Sequence, residues 1–304
     1  MSLFRDATRW LVRAIALFAI LAVIGLVSVF VLSEAYLRDV APPPAFSAVI
    51  PTDSTSIAYG RHLTRTRGCF GCHGQQLEGQ VFDYWPWVKR AVAPNLAAFA
   101  KAHEPATLEA AIRHGIGHDG RALWSMPSYN FVHLPDSAVA AMIAFLKSAE
   151  VEEHELAEPA FGLRTRWWMA RRTEMHMQDW AERVPGMVVR SDEQDNVRRG
   201  ERLAMTTCNE CHGLDLRGST AEMDISPPDL AIVAAYPWDD FVKLMRTGIP
   251  IGGRDLGLMK VVAQDRFAHF TEQEIADLYA FLQTLPGRPI AQNVFWRPEP
   301  NIQP

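Results

Sequence analysis

One pattern is written twice in this chain. Cys69-Phe70-Gly71-Cys72-His73 and Cys208-Asn209-Glu210-Cys211-His212 share the spacing Cys-x-x-Cys-His, and together they use all four cysteines of the 304 residues. The flanks repeat as well. Gly60 and Leu63 precede the first motif as Gly200 and Leu203 precede the second. His73, Leu77 and Gly79 are answered by His212, Leu216 and Gly218, and Pro94-Asn95-Leu96 by Pro228-Asp229-Leu230. Arg113, Gly115 and Ile116 correspond to Arg246, Gly248 and Ile249. Repetition at this long period means two copies of one folding unit, in keeping with a length that suits about two domains.

Each copy closes on an amphipathic helix. Val139, Met142, Ile143 and Leu146 recur at helical spacing, as do Ile275, Leu278, Tyr279 and Leu282. Thr271 and Glu274 form a capping box at the start of the second of these helices. The residues around Ala110 and Ile112 also read as helix, ended by Gly115. No run of alternating β-branched residues stands out. The expectation is an all-α chain with a first domain at 35–150, a linker at 151–194, a second domain at 195–287 and a tail at 288–304. The linker carries Arg164, Arg166, Trp167, Trp168, Arg171 and Arg172. It is read as packing across both domains, with contact to a membrane surface as the alternative.

Residues 14–33 carry no charge and are numerous enough to cross a hydrocarbon core. Arg5, Arg9 and Arg13 precede them, which puts the N-terminus in the cytoplasm and the rest of the chain on the far side. A cleaved signal peptide is the rival, but its apolar region is usually shorter. Residues 1–34 are therefore expected to be a retained, single-pass anchor. The formal net charge of −5 argues against nucleic acid as a partner.

Three chemistries use paired cysteines at this spacing. A dithiol redox site belongs in a βαβ context and leaves the histidine idle. Two zinc knuckles would have to converge from different copies. Covalent attachment of a c-type haem uses every residue: Cys69 and Cys72, or Cys208 and Cys211, as thioether tethers, and His73 or His212 as the iron's proximal ligand. Met126 and Met259 lie 11 residues after Gly115 and Gly248, in Gly/Pro-bearing stretches before each last helix. They are the expected distal ligands, with a histidine the rival: His114, His118 or His133 in the first copy, His269 in the second. Met142 and Met245 read as packing. Pro94 and Pro228 offer carbonyls to orient the proximal imidazoles. Tyr84, Trp85 and Trp87 are expected to pack near the first haem.

On these residues each half resembles a class I cytochrome c domain, over roughly 55–148 and 195–286. The matching elements are the Gly-x-x-Leu before the motif, the motif itself, the Pro-Asn-Leu or Pro-Asp-Leu, the methionine loop and the closing helix. The stretch from Arg113 to Ser128 is similar to c-type cytochrome subunits of membrane-bound bacterial dehydrogenases. The layout is similar to dihaem subunits of some terminal oxidases. The resemblance implies two covalently attached c-type haems, no catalytic site of the chain's own, and exposure to the bacterial periplasm from the inner membrane. It implies electron transfer with redox protein partners: a dehydrogenase, a quinol-oxidising complex or a terminal oxidase. The rival function is a dihaem redox enzyme, of peroxidase or thiosulfate dehydrogenase type, with one catalytic haem.

Overall fold

A computed structural model describes residues 2–82, 90–173, 175–184, 186–187, 194–218 and 227–288. Tyr84, Trp85 and Trp87, and all of the expected tail beyond Arg288, lie outside the described residues. Helix α1 spans Ser2–Arg38 and is apolar along most of its length. The first copy follows with α2 (Ser54–Thr66), α3 (Cys69–His73), a short hairpin of β1 (Gln80–Phe82) and β2 (Ala91–Ala93), α4 (Leu96–Ala102), α5 (Pro105–His114) and α6 (Asp136–Ser148). Then come α7 (Leu163–Arg171) and α8 (Met177–Glu182). The second copy contains α9 (Asp195–Met205), α10 (Asn209–His212), α11 (Trp238–Thr247), α12 (Leu258–Asp265) and α13 (Glu272–Leu282). The architecture is all-α, as expected, apart from the three-residue strands of the hairpin, too short to show as an alternating run.

Local chemistry explains the boundaries. The carboxylate of Asp53 accepts from the Ser56 N–H to start α2, and the Asn95 side chain accepts from the Ala98 N–H to start α4. Gly115 takes a left-handed conformation and stops α5. The Thr271–Glu274 capping box is present with both of its bonds.

Each copy is built on the crossing of its first and last helices, α2 on α6 and α9 on α13. The crossing is close because Gly60 and Gly200 have no side chain. A Cβ on Gly60 would sit 1.9 Å from the Ala141 carbonyl oxygen, and one on Gly200 would sit 1.9 Å from that of Asp277. Around the first crossing pack Leu63, Leu108, Ile112, Phe131, Val139, Met142, Ile143 and Leu146. Around the second pack Leu203, Phe241, Leu244, Met245, Ile275, Leu278 and Leu282. Met142 and Met245 are core residues, as expected.

The segment between the copies departs from its expected role. Its described packing gathers on α1 and the first copy: α7 runs against α1, and α8 against α5 and the Ser128–Phe131 turn. Upstream of α7, Ala160 bridges to Arg90, and the Glu152 carbonyl accepts from the Asn95 amide. The reason is the end of α1. Tyr36 and Leu37 are buried with Met169, the Tyr36 hydroxyl donates to Asp179 at 2.7 Å, and the Ala122 N–H donates to the Leu37 carbonyl at 2.7 Å. This last turn of α1 needs a cover, and α7 and α8 supply it.

Candidate haem-attachment sites

Gly68, in a left-handed conformation, turns the chain out of α2 directly into Cys69. The helical turn of α3 then places Cys69, Cys72 and His73 at i, i+3 and i+4, which is one face of a helix. In the second copy Cys208 caps α10 and the same spacing recurs. Both turns end in a glycine at φ 83°, Gly74 and Gly213. The loops beyond are superimposable in their bonding. Gly79 N–H donates to the His73 carbonyl and Gly218 N–H to the His212 carbonyl, each at 2.8 Å. Leu77 and Leu216 both hold φ 64°, an uncommon conformation for a leucine, and both are buried.

The imidazoles are aimed alike. His73 Nδ1 donates to the Pro94 carbonyl at 2.8 Å, and His212 Nδ1 donates to the Pro228 carbonyl at 2.8 Å. That bond fixes the tautomer and leaves Nε2 as the lone-pair nitrogen. Burial pushes the pKa of both rings down, against a smaller upward pull from the carbonyls. Both are therefore neutral imidazoles near neutral pH, the form that binds a metal.

Burial holds the four thiols in their neutral form. Burial pushes Cys69 up to about 12, and Cys208 and Cys211 up to about 11; Cys72 is also raised. Dithiol redox sites and zinc sites need thiolates, which lowered pKa values favour. Among the described residues no three or more His, Cys, Asp or Glu side chains cluster as a metal cage. Raised thiols beside an oriented neutral imidazole fit thioether tethers and one nitrogen ligand.

Met126 and Cys69 both pack against the first core, and Met259 and Cys208 both pack against the second. Met126 lies in a bend before the Ser128–Phe131 turn, in the irregular setting expected. Met259 does not: it sits in the first turn of α12. Phe131 follows Met126 by five positions, whereas Phe267 follows Met259 by eight. The longer connection has room for helical turns, and Gly257 starts them. Of the rival histidines, His269 is exposed, and His114 bonds to Glu109 at 3.0 Å. His118 is exposed and rests against the rings of Phe99 and His103.

Sequence reasoning missed the charged seam where the copies meet. His62 Nε2 bonds both carboxylate oxygens of Glu274, at 3.0 and 2.9 Å. Arg266 Nη1 donates to Glu210, inside the second motif, at 2.9 Å, and the Arg266 guanidinium lies over Gly68, beside the first motif. Its charge acts on both Cys72 and Cys211. The buried Arg67 acts likewise on Cys69 and Cys208. A signal was available. Arg67 stands opposite Thr206 in the repeat, and Glu210 opposite Gly71. The seam is made of positions where the copies differ.

Two helical domains, each folded round a Cys-x-x-Cys-His turn with a carbonyl-aimed histidine, define a protein that holds haem covalently. The family profile of cytochrome c matches residues 57–150 and 197–286, more than half of the chain, and the chain belongs to that family. Membership brings haem binding, iron and electron transfer. Among curated proteins, none matches the chain.

Proposed function

We propose that the chain is a membrane-anchored dihaem cytochrome c that relays electrons between redox partners at the periplasmic face of a bacterial inner membrane. The observation that carries this reading is the seam: Arg266 donates to Glu210 in the second motif at 2.9 Å and its guanidinium lies over Gly68 at the head of the first, which brings the two attachment turns together. When bound, each haem supplies one-electron cycling of its iron between ferric and ferrous states. Cys69, Cys72, Cys208 and Cys211 would tether the haems, and Nε2 of His73 and His212 with the sulfurs of Met126 and Met259 would hold the irons, a nitrogen-and-thioether donor set that would favour a high potential. The carbonyls of Pro94 and Pro228 hold the imidazoles still. The fitting donors and acceptors are a dehydrogenase, a quinol-oxidising complex or a terminal oxidase. The first copy (35–150), the segment 151–194 and the second copy (195–287) divide the chain outside the membrane.

Retention of residues 1–34 is supported by their packing. Val29 and Ser33 are buried, and Ser33 accepts from Arg166 at 2.9 Å. A leader destined for removal has no need of such contacts.

The test is a haem count by pyridine haemochrome on the denatured chain, with absorption and paramagnetic resonance of the intact protein. Two covalent haems per chain, both His/Met-ligated and inert to carbon monoxide, are expected. One haem, or carbon monoxide binding at one iron of the reduced protein, would overturn the carrier and favour a catalytic haem.

A further inference from the structure

Helix α7 has two unlike faces. Thr165 and Met169 are fully buried, Met169 against Tyr36 and Leu37 of α1. Leu163, Arg164, Trp167 and Arg171 are all exposed. At 3.6 residues per turn these four fall within an arc of about 100° on the side opposite Met169. Arg164 lies over the Trp168 ring at 4.6 Å, and Arg171 over the Trp167 ring at 5.6 Å. Arg172, outside the stripe, is engaged by Asp39 at 2.6 Å.

The height of this helix is set by α1. Arg166 bonds Ser33, the last residue of the uncharged run, and stacks over Phe30 at 4.5 Å. Residues of a helix rise about 1.5 Å each, so α7 lies alongside the last turns of the run, where a spanning helix leaves the hydrocarbon. A stripe of arginine, tryptophan and leucine at that level has the composition of an interfacial helix. Its charge is also opposite in sign to the chain's net −5.

We propose that α7 is an interfacial collar that binds anionic phospholipid. Arg164 and Arg171 take the phosphate-bearing headgroups, and Leu163 and Trp167 seat at the acyl boundary. Because α1 and α8 are bonded through Tyr36 and Asp179, a lipid-bound α7 holds the first copy at a fixed height above the bilayer. This inference rests on the retained anchor proposed above.

The experiment uses the intact haem-loaded chain in nanodiscs of phosphatidylcholine with a rising fraction of phosphatidylglycerol. Hydrogen exchange of residues 161–172 is followed by mass spectrometry. Protection of α7 is expected to grow with phosphatidylglycerol. Each arginine changed to glutamine, in Arg164→Gln and Arg171→Gln, raises the fraction needed for half protection about fivefold. The Arg164→Lys/Arg171→Lys variant keeps the response, because charge and not fork geometry is what the lipid reads. A chain that enters the discs, but whose α7 exchanges alike with and without phosphatidylglycerol, overturns the collar alone and leaves the stripe to a protein partner. A chain recovered outside the discs overturns the anchor and the collar together.

Discussion

The two copies agree around the histidine proposed as proximal ligand and differ around the methionine proposed as distal ligand. Proximally, the glycine after each motif holds φ 83°, the leucine beyond holds φ 64°, and the imidazole bonds a proline carbonyl at 2.8 Å in both. Distally, Met126 sits in a bend, whereas Met259 rides on α12. Attachment through three residues in five leaves the backbone little freedom. In the proposed ligation a methionine needs only to reach one point, so the chain that carries it can differ. The copies also differ in their surroundings. The first is tied to α1, α7 and α8, while the second leans on the first through the seam.

Four measurements would break or sharpen this comparison. The largest effect is expected from Met126→His and Met259→His. Each lowers the potential of its own site by roughly 0.2 V, out of the roughly 0.8 V that axial ligands span. Spectroelectrochemistry should show one wave moving and the other staying. If Met259→His moves neither, the methionine on α12 is packing and the copies differ in ligation, not only in backbone.

Next come Gly60→Ala and Gly200→Ala. The added methyl meets backbone at 1.9 Å in both crossings, so the helices must part. Each should lose roughly 3 kcal/mol, the upper end of overpacking penalties, in the thermal unfolding of its own copy. Unequal losses would show that the two crossings are not the same structural element.

Arg266→Gln removes the partner of Glu210 and a cation that acts on both motifs. A loss of about 1–2 kcal/mol is expected for a charged hydrogen bond. Both potentials should fall together, because a nearby cation disfavours ferric iron. A fall at one site only would mean that the motifs do not share the seam's field.

The smallest effect is a pH dependence. Burial pushes the Glu274 carboxyl upward, but bonds from His62 and the Thr271 N–H outweigh it and leave the group below its ordinary value. The titratable or charged groups facing it across the seam are His62 and Arg67. A carboxyl lowered by folding contributes stability above its unfolded value of about 4.3, and that contribution is lost as pH falls through the folded value. The pair is part-exposed, so less than about 1 kcal/mol is expected. Protection at residues 62–68 and 266–274, taken relative to the intrinsic exchange rate at each pH, should fall on the acid side. Protection unchanged as pH falls through the carboxylate range would contradict this assignment.

The attachment turns were legible because their rules are local. Cysteines at i and i+3 with a histidine at i+4, a glycine where φ is positive, and a capping box are all read within one or two turns of chain. So were the closing helices, whose apolar positions recur at helical spacing and are buried or part-buried where expected. The hairpin escaped because strands of three residues leave no alternation to see. The position of Met259 escaped because an offset counted from Gly248 cannot tell a loop from the first turn of a helix. The bond from His62 to Glu274 escaped because it spans 212 residues, and no local spacing marks such a pair.

By itself the sequence determined an all-helical chain with an apolar N-terminal helix, two copies of one unit and a covalent haem motif in each. Those features depend on spacings along the chain, and a spacing is visible before anything folds. Only the tertiary structure decided that the motifs face one another across Arg67 and Arg266, and that α7 lies on α1. Those pairings depend on which surfaces remain uncovered once the local elements have formed. The unpaired end of α1 and the charged departures from the repeat become surfaces only in three dimensions.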